Sequence, residues 1–199
     1  IEMELNHYGT AETHLKEALG QFIRLEDGSN IAYVQYFMGR MKVEQSEDEQ
    51  AIQLLQESKR IFAEERNWLG VAKNLNLLAL SQIKVYGDYQ TAQRILEESI
   101  ALQQKSPPSP TFIEALRTLS RVKSAGGDYE SAERYLGEAI SLSRRGEDKV
   151  EYVALLFERT VLCRRQNQFD AGLNFGNQCL ESVRSMGSLR WEALIKTQL

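Results

Sequence analysis

Gly87-Asp88-Tyr89-Gln90-Thr91-Ala92 and Gly127-Asp128-Tyr129-Glu130-Ser131-Ala132 are nearly one phrase written twice, 40 residues apart, and each runs into an amphipathic stretch. A phrase returning at that period marks a chain built from repeated supersecondary units. Working outward, Asn6-His7-Tyr8 precedes Ala11, Ser46-Glu47-Asp48 precedes Ala51, and Asn167-Gln168-Phe169 precedes Gly172. The anchors therefore fall at 11, 51, 92, 132 and 172, with spacings of 40, 41, 40 and 40 residues.

Three residues before the anchors stand Tyr8, Asp48, Tyr89, Tyr129 and Phe169. Four residues after them stand Leu15, Leu55, Leu96, Leu136 and Gly176, and three further on Ala18, Ser58, Ser99, Ala139 and Cys179. Offsets of 3, 4 and 3 follow one face of a helix. Small residues on that face let a second helix approach closely, the leucine locks the pair, and the aromatic fills the turn. The stretches preceding each phrase also carry helical periodicity: Leu75, Leu78 and Ala79; Leu116, Leu119 and Val122; Val153, Leu156, Thr160 and Cys163. Each unit of about 40 residues is thus a helical hairpin.

Turn chemistry separates the helices. Asp27-Gly28-Ser29-Asn30, Ser106-Pro107-Pro108-Ser109-Pro110, Gly146-Glu147-Asp148 and Gly187-Ser188 mark links between units, and Gly87, Gly126 and Gly127 mark tight turns within them. The pattern predicts helices at 8–26, 30–45, 48–65, 68–86, 88–105, 110–125, 128–145, 148–166, 168–186 and 188–199, with no strands. Residues 1–6 are expected to be the tail of a preceding, truncated helix. The single 41-residue spacing predicts one extra residue near Val85 or Tyr86.

The Gly-Asp-Tyr-x-x-Ala-x-x-x-Leu-x-x-(Ser/Ala) phrase, preceded by Leu75-Asn76-Leu77-Leu78-Ala79, resembles the tetratricopeptide repeat. More specifically, it resembles the long-unit variety seen in kinesin light chains and in the C-terminal arrays of bacterial signalling ATPases and regulators similar to the maltose-regulon activator. The resemblance covers nearly the whole chain and departs from the pattern at Asp48, Gly172 and Gly176. It implies an all-α fold: a right-handed superhelical α-solenoid of stacked antiparallel helical hairpins, forming one segment over 1–199. The expected units are a truncated first repeat 1–29, then 30–67, 68–109, 110–147 and 148–187, with a further helix starting at 188–199. Opening on Ile1 and closing on the helical phrase from Trp191 suggests a segment of a longer protein, with terminal helices exposed for self-association.

Composition narrows the function. The 199 residues are 42% apolar and 26% charged, with 24 Lys and Arg against 28 Asp and Glu, a net charge of −4. That balance lacks the positive excess that phosphate-backbone binding requires, so nucleic acid is not an expected partner. The absence of a basic leader and of a long apolar stretch gives no membrane partner, and a cytoplasmic location is expected. Cys163 and Cys179, with only His7 and His14 besides, lack zinc-site spacing, and their placement on two helices at different heights predicts free thiols. No phosphate loop, His-Glu-x-x-His, Gly-x-Ser-x-Gly or Cys-x-x-Cys occurs, so neither catalysis nor a cofactor is expected. The acid pairs Glu64-Glu65 and Glu97-Glu98 point about 100° apart on a helix and toward solvent.

The remaining place for function is the concave surface, lined in repeat arrays by the first helix of each hairpin. Alignment to the anchors puts Tyr33, Tyr36 and Arg40, Lys73 and Asn76, Arg117 and Arg121, and Phe157, Val161 and Arg164 at its inward positions. Asn side chains and Arg forks suit the backbone and carboxylates of an extended peptide, and aromatic faces suit its apolar side chains. The expected function is a non-catalytic protein- or peptide-interaction module, the sensing or scaffolding part of a larger signalling or regulatory protein, with an acidic partner favoured by the basic residues. The alternative is a metabolite sensor of a transcriptional regulator or signalling ATPase, with Gly172 and Gly176 opening a cavity.

Overall fold

The structure, a computed structural model, describes residues 2–104, 106–144 and 149–185. Among these residues there are nine α-helices and no strand: α1 (Glu2–Arg24), α2 (Gly28–Glu44), α3 (Asp48–Glu64), α4 (Trp68–Ser81), α5 (Tyr89–Gln103), α6 (Pro110–Ala125), α7 (Tyr129–Ser143), α8 (Lys149–Arg165) and α9 (Phe169–Ser185). The all-α hairpin architecture is as the periodicity predicts. The expected helix over 188–199 and the links Gly146-Glu147-Asp148 and Gly187-Ser188 lie outside the described residues. One expectation needs correction: residues 2–6 continue α1 and are not the end of an earlier helix.

The chain divides into two compact units, residues 1–107 and 108–199, parted within the Ser106–Pro110 link. In the first, α2 pairs with α3 and α4 with α5, while α3 also packs on α4 and α1 on α2. In the second, α6 pairs with α7 and α8 with α9, and α7 packs on α8. Connections of three residues in the α2–α3, α6–α7 and α8–α9 pairs, and a π turn followed by Gly87 and Asp88 in the α4–α5 pair, make each pair antiparallel.

The anchor columns are the hairpin contact. Ala51, Ala92 and Ala132 are fully buried, as are Leu55, Leu96 and Leu136 four residues on. Burying such a leucine stabilises by about 1.5 to 3 kcal/mol relative to leaving it exposed. The third column does more than stay small. Ser58 Oγ donates to the Ala32 carbonyl at 2.8 Å, Ser99 Oγ to the Ala72 carbonyl at 3.3 Å, and Cys179 Sγ to the Val153 carbonyl at 3.4 Å, tying each second helix to the first helix of its hairpin. Two glycines on the first helices allow similar closeness: a Cβ at Gly39 would stand 2.8 Å from Leu55, and one at Gly70 2.5 Å from the Phe62 ring. Ala11, the same column in α1, is exposed, since no described helix precedes α1 to cover it.

The departures from the repeat pattern are absorbed locally. Asp48 opens α3 and meets Lys84 Nζ at 3.6 Å. Gly172 is buried, with space for a Cβ only at 3.4 Å from the Cys163 Cβ. The forty-first residue is taken up where the spacing predicts, as a π turn over Gln82–Tyr86 closed by Gly87 at φ 61°.

Six short turns each carry one left-handed residue: Glu26, Ser46, Arg66, Gly87, Gly127 and Asn167. Only two are glycine. A side chain in this region costs roughly 1 to 2 kcal/mol, less for Asn, because Cβ crowds the following carbonyl. Ser46→Gly and Arg66→Gly should therefore raise stability by about 0.5 to 1 kcal/mol each, whereas Gly127→Ala should lower it by about 1 kcal/mol, read as shifts of the urea midpoint.

Asp27, Asp88 and Asp128 cap α2, α5 and α7, accepting from the backbone N–H of Asn30, Thr91 and Ser131 at 3.1, 2.9 and 3.1 Å. Bonds from the Asn30 side chain and backbone hold Asp27 below the usual aspartate range; the Thr91 side chain and backbone do so for Asp88, and the Ser131 backbone and side chain for Asp128. A carboxylate with a depressed folded pKa contributes stability that is present above its unfolded value, about 4, and is lost as pH falls through the folded one. The Asp88→Asn/Asp128→Asn double variant, which keeps capping oxygens, should lose less helical circular dichroism than the parent below pH about 4.

Candidate functional site

The first-helix positions of the first unit come together as a patch. On α2, Tyr33 and Tyr36 are half-buried and one turn apart. Tyr33 is rooted in the cluster of Ala32, Phe62, Val71 and Leu75, its ring edge-on to Phe62 at 4.8 Å. Tyr36 is rooted in the cluster of Val43, Ala51, Leu55, Leu77 and Leu78. From α4, Lys73 reaches between them, its Nζ 5.9 Å from the Tyr33 ring centre and 6.0 Å from that of Tyr36. Phe37, which the alignment did not single out, packs edge-on to Tyr36 at 5.3 Å and is 49% exposed. The result is an ammonium over aromatic faces, anchored below in the core and open above.

One residue of this unit sits otherwise than expected. Asn76 does not line the surface: it is 1% exposed, and its Oδ1 accepts from Ser99 Oγ at 2.7 Å within the α4–α5 contact. Its column is a surface column elsewhere, but α4 is covered on both sides, and a short amide there is engulfed. Arg40 is exposed, with Nε 3.3 Å from Glu44 Oε1, so its charge is matched one turn along α2.

The second unit shows a different arrangement. Arg117 and Arg121 on α6 face α8: Arg117 Nη1 donates to Glu151 Oε2 at 3.2 Å, and Arg121 Nε stands 3.8 Å from Glu158 Oε1. The two glutamates were not anticipated, because they lie in other columns than the arginines, 34 and 37 residues on. The expected excess of basic over acidic residues is therefore absent from the α6–α8 contact. Phe157 is half-buried on the cluster of Val153, Leu156, Cys179, Leu180 and Val183, and Arg164 is exposed. Arg159, also unanticipated, pairs with Glu133 and stacks 4.2 Å over the Phe175 ring.

The groups considered for chemistry stay dispersed. His14 Nδ1 meets Glu17 at 3.6 Å on the surface, and the His7 side chain lies outside the described residues. Glu64 pairs with Arg60, Glu65 accepts from Ser29 Oγ, and Glu97 accepts from Gln93 Nε2 at 2.8 Å. Among the described residues no group of three or more His, Cys, Asp or Glu converges as a metal site, and no helix is long and apolar enough to cross a membrane.

The tetratricopeptide repeat family model matches residues 71–145, which span the Gly87 and Gly127 phrases. No curated protein matches the chain significantly in sequence. Solved structures do match in fold. TPR-like repeats from Podosopora anserina described as those of a kinesin light chain superpose with a TM-score of 0.69 at 16% identity, over 93% of this chain and 91% of that one. Aspartyl phosphate phosphatase F from Bacillus subtilis superposes with a TM-score of 0.85 at 14% identity, over 99% of this chain and 52% of that one. The apo form of the quorum sensor NprR from B. thuringiensis gives 0.65 at 14%, over 94% and 53%. The chain thus spans about half the length of the last two. Its fold is that of TPR-like solenoids, as its phrases and columns imply.

Cys163 on α8 and Cys179 on α9 are both buried and free. Burial pushes the Cys163 thiol up and the Cys179 thiol up to about 11, so neither presents a thiolate at neutral pH. A water-soluble disulfide reagent should leave both untouched in the folded protein and modify two thiols per chain in about 6 M urea; rapid labelling without denaturant would mean that the α8–α9 contact is open.

Proposed function

We propose that the chain is a non-catalytic module that binds a protein or an extended peptide on the first-helix face of its hairpins. It acts as one array over 1–199, within a larger cytoplasmic signalling or regulatory protein. The observation that carries the reading is the patch of Tyr33, Tyr36, Phe37 and Lys73. Its aromatic rings are fixed by the core beneath, so little side-chain freedom is lost when a ligand settles on them. Lys73 makes no ion pair among the described residues, which leaves its ammonium able to receive a carboxylate or a main-chain carbonyl. The match of residues 71–145 to the tetratricopeptide repeat supports the same use, because arrays of this kind present long surfaces and no catalytic constellation.

The test is a peptide array probed with the whole chain, followed by titration of the peptides it selects. Lys73→Glu and Phe37→Ala, which alter the open side of the patch and leave the buried anchors intact, should each weaken binding about tenfold or more, as expected for a lost charge-assisted bond or aromatic contact. Glu97→Lys/Glu98→Lys, on the exposed side of α5, should leave it nearly unchanged. If the α5 changes are the damaging ones, the ligand lies on another surface.

A further inference from the structure

We infer that Glu151 and Glu158 are specificity-determining residues of the second unit: they occupy Arg117 and Arg121 in the unliganded chain, so that an acidic ligand gains those arginines only by displacing them. This rests on the reading of the first-helix face as a binding surface. Arg117 and Arg121 stand one turn apart on α6, and their partners come from α8, the first helix of the next hairpin. The pairs are unequal. Arg117 and Glu151 are each only 25% exposed and share a hydrogen bond at 3.2 Å. Arg121 is 59% exposed, Glu158 28%, and their 3.8 Å separation is a loose contact. The first pair is sheltered from water and hard to replace; the second is screened and contributes little to stability.

A carboxylate offered by a ligand competes at both positions with one already tethered at high effective concentration. The charge at Arg117 and Arg121 is therefore matched in place, and these two positions discriminate against a ligand whose only merit is negative charge. The first unit has no such competitor at Lys73, and Arg164 on α8 is exposed, so the chain's capture of an anion falls to those positions instead of being spread along every basic column. A purely structural role for the pairs, holding α6 against α8, predicts an effect of their loss on stability alone and not on which peptide is bound.

Glu151→Gln/Glu158→Gln removes both charges and keeps side-chain shape and hydrogen-bonding capacity. The whole chain is titrated with a fluorescein-labelled peptide of alternating leucine and glutamate, and with its leucine–glutamine counterpart, at about 50 and about 300 mM salt, where the screening length falls severalfold below that of dilute buffer. The double variant is expected to bind the glutamate peptide about tenfold tighter than the parent at the lower salt, to lose most of that gain at the higher, and to bind the glutamine peptide as the parent does. Glu97→Gln/Glu98→Gln changes the net charge equally and should produce no such gain. Equal affinities in parent and double variant overturn the inference, as does a gain shared by the glutamine peptide or reproduced by the α5 control. Should the double variant unfold, Glu158→Gln alone, on the exposed pair, is expected to give a smaller gain of the same salt dependence, and its absence is equally decisive. Peptide binding that depends on Lys73 but ignores both glutamates removes this inference alone; failure of the parent to bind any peptide of the array removes the reading beneath it.

Discussion

Everything in the molecule depends on how closely two helices of one hairpin can lie. The contact is made where Ala51, Ala92 and Ala132 leave no side chain to hold the backbones apart, and where Leu55, Leu96 and Leu136 fill the space beside them. Gly39 over Leu55 shows the same limit from the opposite helix, since a single Cβ there would stand 2.8 Å from the leucine. At such distances a first-helix carbonyl is shielded from water, and the hydroxyls of Ser58 and Ser99 stand where they can bond to one in addition to its own helical partner. Closeness, burial and side-chain bonding to the carbonyl are thus one constraint, repeated at a period that the chain can keep only by inserting small residues at fixed intervals.

That constraint explains why so much of the fold was legible in the sequence. Small and leucine columns repeat because each hairpin meets the same steric demand, and the phrases with Asp88 and Asp128 repeat because each aspartate caps the second helix that it precedes, α5 or α7. Even the irregular spacing had one physical outlet: an extra residue in a helix that must still reach its turn is accommodated as a π turn, and it lies at Gln82–Tyr86. The left-handed turn residues were harder to see. Gly87 and Gly127 announce themselves and Asn167 tolerates the conformation, but Glu26, Ser46 and Arg66 hold it because the flanking helices are pinned by their cores, and no local propensity would assign it to them.

The site was less legible, and for a different reason. Column alignment places a Cα on a face of a helix but does not say how much of the side chain the neighbouring helices cover. Tyr36, Asn76, Arg117 and Phe157 share a column, yet the asparagine is too short to climb out of the contact and is bonded to Ser99, whereas the longer side chains emerge. Charge was only partly legible for a related cause. Counting basic residues within one set of columns leaves out carboxylates that reach the same space from another set on the adjacent hairpin, and Glu151 and Glu158 do so.

The division of labour between the two faces of each first helix follows from this geometry. The face turned toward the second helix is restricted to small or apolar residues by distance, whereas the opposite stripe meets no such limit and can carry any chemistry at little cost in stability. Tyr33 and Tyr36 belong to both: each ring is seated among core residues such as Phe62 and Leu55, and each contributes its outer part to the patch around Lys73. An open surface built on such residues inherits the rigidity of the core without adding to the interior, since the contacts that fix the ring orientation are the ones that hold the hairpins together. The arginine–glutamate pairs of the second unit reach a similar end by electrostatics, for Arg117 is oriented by Glu151 before any ligand arrives. In one unit the ligand would meet a preformed aromatic floor, and in the other two arginines whose charge is already matched, so selectivity is set by what each surface withholds as much as by what it offers.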